Sequence, residues 1–182
     1  MGPLDPGTYT TQLFQPHLTY TVPAGWSNFE DLPGNFLLVP PGGALDGVNG
    51  GTSDYIGIYT SVLPNSDCNG AIPDIDMTPA GMAGWFADAP GFDSSNNHAV
   101  TVGGLSGQAI DLKMKPGWNA CLALTSGIGL SGFEHTVVPS QRTRQYLLSN
   151  GTNVLSIEVV DVNDSGHLDG YSKIIEGFTF AK

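Results

Sequence analysis

The run Leu18-Thr19-Tyr20-Thr21-Val22 alternates apolar and polar side chains with a period of two and stops at Pro23-Ala24-Gly25. An extended chain points successive side chains to opposite faces, so this pattern belongs to a half-buried strand ended by a turn. The same grammar recurs along the chain. Asn35–Val39 ends at Pro40-Pro41-Gly42-Gly43, and residues 55–59, 99–102, 108–114, 135–138, 144–148 and 153–160 read as further strands. Ser149-Asn150-Gly151-Thr152 joins the last two with an Asn-Gly hairpin signal, so the sheet is expected to be mainly antiparallel.

Two segments break this period. Thr78-Pro79 offers a helix cap followed by Pro at the first helical position, with Met82, Trp85 and Phe86 at helical spacing before Pro90. Near the end, Asp169 is expected to cap a helix whose Tyr171, Ile174, Ile175 and Phe178 share one face, with Gly177 as its stop and residues 178–180 as a closing edge strand. The expectation is an α+β fold, a mainly antiparallel β-sheet with two short helices packed on it in an α/β/α sandwich-like arrangement. Residues 1–15, rich in Pro, Gly and Thr, read as a loose N-terminal lead-in, and residues 16–182 as a single domain.

The chain has 182 residues, six basic side chains and a net charge of −11. Such a balance repels phosphate backbones and anionic lipid surfaces, so nucleic acid is not an expected partner. Scarce lysine, abundant Gly, Pro and Thr, and two cysteines in turn-like contexts point to an exported, acidic protein, bacterial, with an extracellular or cell-envelope location. Cys68 and Cys121 are too far apart for a CxxC pair, which leaves a disulfide bond or two buried thiols, and the exported look favours the disulfide. Closing a loop of about 50 residues is worth roughly 4 kcal/mol on the chain-entropy account. Met1-Gly2-Pro3-Leu4-Asp5-Pro6 lacks a signal peptide, as expected of a mature form trimmed after a signal or a lipid anchor upstream, and no apolar run is long enough for a transmembrane segment.

Leu18-Thr19-Tyr20-Thr21-Val22-Pro23-Ala24-Gly25-Trp26 resembles the opening of Mog1/PsbP-like domains, including the mycobacterial lipoprotein family of that fold. The strand, short helix and last strand read over residues 157–160, 169–176 and 178–180 are similar to the ending of those domains. Residues 51–59 and 100–107 resemble runs in uncharacterised exported proteins of actinobacteria. The resemblance covers about a quarter of the chain. It implies an α/β/α sandwich used for binding or scaffolding, with no catalytic residue to carry over.

Chemical motifs are sparse. Asp161-Val162-Asn163-Asp164-Ser165-Gly166-His167-Leu168-Asp169 puts Asp161, Asn163, Ser165 and Asp169 at the oxygen positions of a calcium loop, with Gly166 at the sharp turn. Position 12 is Ser172 rather than a bidentate Glu, and a strand precedes the loop, so a polar turn is the competing reading. Ser106 and Ser131 sit in Gly-Leu-Ser-Gly runs that miss the final glycine of a nucleophile elbow. His17, His98, His135 and His167 show no zinc spacing, and Glu134 and His135 would face opposite sides of a strand. Trp26, Trp85 and Trp118 are candidates for ligand stacking, against a bland reading as core and rim. Whether the chain is an enzyme is left open. The expected function is a non-catalytic extracytoplasmic domain binding a small molecule, a glycan or an envelope protein. The alternative is a small secreted hydrolase, a carboxylate-dependent glycosidase, for which seventeen acidic residues supply material but no address.

Overall fold

Every residue from Phe36 to Val39, and from Val154 to Asp161, is buried, although a sheet wet on one side would expose alternate positions. The central strands are therefore covered on both faces. The computed structural model describes residues 1–60, 62–65, 74–117, 129–131 and 141–181. In chain order the elements are β1 (Gly2–Pro3), β2 (Gly7–Thr10), β3 (Leu18–Val22), β4 (Ser27–Leu32), β5 (Asn35–Val39), α1 (Leu45–Asn49), β6 (Tyr55–Thr60) and β7 (Leu63–Asn65). They continue with α2 (Pro79–Asp88), β8 (Phe92–Val102), β9 (Leu105–Met114), β10 (Gly129–Ser131), β11 (Arg142–Asn150), β12 (Asn153–Asp161), α3 (Leu168–Glu176) and β13 (Thr179–Phe180).

An eight-stranded sheet runs β1-β4-β5-β6-β12-β11-β9-β8, and each neighbouring pair is antiparallel. A second sheet, β13-β3-β2, packs its Leu18, Tyr20, Val22 and Phe180 with α3 against Phe36, Ile58, Ile157 and Leu148 of the large sheet. The opposite face takes Met82, Ala83 and Phe86 of α2 on Ile110, Leu112 and Leu147. Beside them Val48 of α1 packs on Leu37, Val39 and Val160. The fold is α+β and mainly antiparallel as expected, with three short helices among the described residues rather than the two expected. A small sheet shares one outer layer with α3.

Local signals explain the helices. The Thr78 hydroxyl accepts from Gly81 N at 3.2 Å and Pro79 opens α2, so this cap was readable. The cap of α3 was not, because His167 rather than Asp169 is the N-cap and Asp169 lies inside the first turn. Among the described residues no helix is long and apolar enough to cross a membrane.

The N-terminal stretch corrects the expectation of a loose lead-in. β1 pairs with β4 and β2 with β3. Between β2 and β3 the Asp31 carboxylate accepts the backbone N–H groups of Gln12, Leu13 and Phe14 at 2.7, 3.1 and 2.8 Å, and Phe14 is fully buried. Proline and glycine here shape edge strands rather than freedom.

Candidate functional site

The small sheet meets the end of β8 at the bridge between Thr179 and Gly103, and the rest of β8 lies beside α3 with a cleft between them. Between β11 and β8, β9 presents Gly107 and Ala109, while its neighbours present Tyr146, His98 and Val100. Between β8, β11 and α3 lies an open cleft of about 440 Å³. Its lining combines Val100, Tyr146 and Ile175 with Asn96, His98, Arg144, Asp169, Ser172 and Glu176.

Arg144 is the anchor of this cleft. Its Nε and a terminal nitrogen donate to the two Asp111 oxygens at 2.6 and 2.9 Å, and its other terminal nitrogen donates to Asp169 Oδ1 at 2.9 Å and Ser172 Oγ at 3.2 Å. The Arg144 and Asp111 side chains are mostly buried, whereas Asp169 is open to solvent. Hydrogen bonding to Asp111 raises the guanidinium's affinity for its proton still further, so Arg144 is a fixed positive charge. Asn96 reaches Asp111 from β8 at 3.5 Å, in a bulge where Asn96 has a positive φ of 54° that asparagine tolerates better than most residues.

A smaller pocket of about 110 Å³ lies on the other side of Arg144, lined by Asp111, Arg142, Arg144, Asp161, Asp164, Gly166, Leu168 and Asp169. This is where the expected calcium loop falls. Both Asp161 oxygens accept backbone N–H groups, from Ser165 and His167 at 2.8 Å each, and Asp169 turns to Arg144. Asn163 and Ser165 are exposed. The guanidinium groups of Arg142 and Arg144 line the same pocket, and the segment turns around the Asp161 carboxylate. Asp164 closes it at the surface with Lys113 at 2.8 Å and Arg142 at 3.5 Å, and the hydrogen bond from Lys113 holds its carboxyl below the usual range.

Behind this turn Asp54, His167 and Tyr171 meet. Asp54 Oδ2 lies 2.9 Å from His167 Nδ1 and accepts the Tyr171 hydroxyl at 2.9 Å, while Oδ1 accepts Val162 N at 2.9 Å. The hydrogen bond to Asp54 raises the pKa of His167, and burial foremost raises that of Tyr171. The indole of Trp26 packs edge-on against the Tyr171 ring at 5.6 Å and is 4% exposed.

Trp26 is thus core. Trp85 belongs to α2 on the opposite face of the large sheet, so these two indoles do not share a stacking platform. Trp118, Cys68, Cys121, Glu134 and His135 lie outside the described residues. Ser106 lies within β9 rather than on a strand-to-helix elbow, and His17 meets the Gln15 amide. Sequence reasoning missed Arg144, Asp111, Tyr146 and Glu176 as a group. The one available signal was that both arginines of an arginine-poor chain, Arg142 and Arg144, sit two positions apart in one strand.

For the glycosidase alternative, the cleft carboxylates Asp169 and Glu176 stand on the same wall, about 10 Å apart along one helix. Acid–base glycoside cleavage needs two carboxyls flanking the scissile bond from opposite sides. The carboxyl pushed up to about 7 by burial, Glu158, lies on the other face of the sheet, where Tyr55 donates to it at 3.0 Å. Among the described residues, the cleft's two carboxylates therefore do not flank it from opposite sides.

No family model matches the chain, and no curated protein matches it. Among solved structures, a protein of Bacteroides thetaiotaomicron aligns over 91% of this chain with a TM-score of 0.42 and 11% identity, and the chain spans 45% of that protein. The cyanobacterial PsbP protein CyanoP of Synechocystis sp. PCC 6803 aligns over 96% of this chain and 93% of its own, with a TM-score of 0.48 and 10% identity. At these scores the functional reading rests on the site's own geometry.

Proposed function

We propose that this chain is a non-catalytic binding domain of the cell envelope, and that the cleft between β8, β11 and α3 takes a small hydroxyl-rich ligand, a glycan segment above all. The observation that carries this reading is the cleft's composition. Val100 and the exposed edge of Tyr146 offer a little apolar surface, and Asn96, His98, Asp169 and Glu176 offer donors and acceptors around it, with Arg144 locked in place beneath. The cleft's volume lies within the roughly 300–1,000 Å³ of small-molecule pockets. The acidic rim suits a neutral or cationic ligand and disfavours phosphates and other anions. A small molecule of similar chemistry or an envelope protein's loop would use the same groups.

The location belongs to the same proposal. It rests on scarce lysine, on the pairing proposed for Cys68 with Cys121, and on the likeness of the opening motif to exported lipoproteins, which also suggests a lipid anchor upstream. Calorimetric titration with soluble cell-wall and capsular oligosaccharides tests the function. Saturable binding weakened at least about tenfold by substitution of the exposed cleft residue His98→Ala, at unchanged stability, supports it. Binding indifferent to that substitution removes the cleft as the site.

A further inference from the structure

Asp54, Asp161 and His167 bring one ligand atom each within 4.8 Å of one another, from three separate parts of the chain. Asp54 immediately precedes β6, Asp161 ends β12 and His167 caps α3. We propose that these three side chains form a divalent transition-metal site, of the zinc class, which staples the start of α3 to the large sheet.

The placement of the donors supports this. Asp54 Oδ2 and His167 Nδ1 are 2.9 Å apart, and the Tyr171 hydroxyl stands 2.9 Å from the first and 3.3 Å from the second. Ligands at about 2.0–2.1 Å on a tetrahedral ion lie roughly 3.3 Å from one another, near the Asp54–His167 separation, and Asp161 brings an oxygen within 4.8 Å of both. Asp161 is fully buried, and the two backbone N–H groups it accepts fix its orientation while each oxygen keeps a further lone pair. The Val162 N–H does the same for Asp54. Such outer bonds are what hold carboxylate ligands in place. The His167 side chain is 52% exposed, which gives an ion access from solvent.

The donor set selects the ion. Calcium and magnesium take oxygen ligands, whereas an imidazole with two carboxylates suits zinc, manganese, cobalt or nickel. Two carboxylates against one neutral imidazole leave a net negative site, and the neighbouring cations Lys113, Arg142 and Arg144 are each paired with Asp164, Asp111 or Asp169. Binding exchanges the hydrogen bond between His167 and Asp54 for two metal bonds and releases the proton that it held.

The test is titration of the chelator-stripped full chain with zinc, followed by calorimetry and by thermal melting, and with cobalt, followed by its visible absorption. The expected result is one zinc per chain, a melting temperature that rises with zinc concentration, and tetrahedral cobalt bands. His167→Ala should weaken binding by more than about tenfold and abolish the bands, while Asp169→Asn, outside the three proposed ligands, should leave both unchanged. No zinc-dependent change in the wild-type protein would overturn the proposal. So would zinc binding of equal strength in His167→Ala, which would assign the ion to another histidine.

Discussion

Glu158 shows how far a single side chain can depart from what its neighbours in sequence suggest. In Ile157-Glu158-Val159 it alternates as a solvent-facing residue would, yet it is 4% exposed. Its oxygens accept from Tyr55 at 3.0 Å and from Gln145 Nε2 at 3.4 Å, and Ser156 Oγ supports the Gln145 amide at 2.8 Å. The Tyr55 partner is 103 positions away, so no local pattern announces the network. Burial raises the Glu158 carboxyl from 4.5 to about 7. Below pH 4.5 it is protonated in both the folded and the unfolded chain and has no effect on pH dependence. As pH rises toward 7 the unfolded chain ionises first, and the folded state loses up to about 3 kcal/mol, after which the loss is constant. Urea unfolding of Glu158→Gln is therefore expected to give higher stability than the wild type at pH 8 and to converge with it near pH 4.5. A difference between the two proteins that does not vary with pH would refute this assignment.

Among the elements, α3 forms a wall of both the cleft and the polar knot, and Ile175 holds it down with 1% of its surface exposed. Ile175→Ala should lower stability by about 2–5 kcal/mol, more than Ile174→Ala, because Ile174 is only partly buried. Equal losses at the two positions, read by denaturant melts, would mean the helix is rotated from the orientation described. Elements with clean patterns were legible: β3, β5, the hairpin of β11 with β12, and α2 with its Thr78 cap. β4 was hidden because Ser27-Asn28-Phe29-Glu30-Asp31-Leu32 is polar and a register shift between Asn28 and Glu30 breaks its period, with the Asn28 amide bonding Glu30 O and Leu37 O across the bulge. Most of β8 was hidden for a related reason. Asp93-Ser94-Ser95-Asn96-Asn97-His98 has the composition of a turn, yet it runs as an exposed edge strand in which polar residues and a bulge discourage further pairing. That strand carries the cleft's outer rim, so missing it meant missing the site.

For the whole molecule, an acidic chain arranges its few cations with care. Among the described residues Arg144 lies between two pockets and is held by three neighbours, and Arg142 and Lys113 meet Asp164. The proposed Cys68–Cys121 disulfide would constrain the unfolded chain by roughly 4 kcal/mol. Intact-mass spectrometry of unreduced protein should find it lighter by two hydrogens than the reduced form, and two free thiols after aerobic purification would count against both the bridge and the compartment. The central claim is that the opening beside α3 is where a ligand sits. Its most direct measurement is amide chemical-shift mapping by NMR during titration with the tightest-binding oligosaccharide. The account predicts that the largest shifts cluster on β8, Arg144, Tyr146 and the 172–176 turn of α3. Shifts centred on α2 and the opposite face of the large sheet would contradict it.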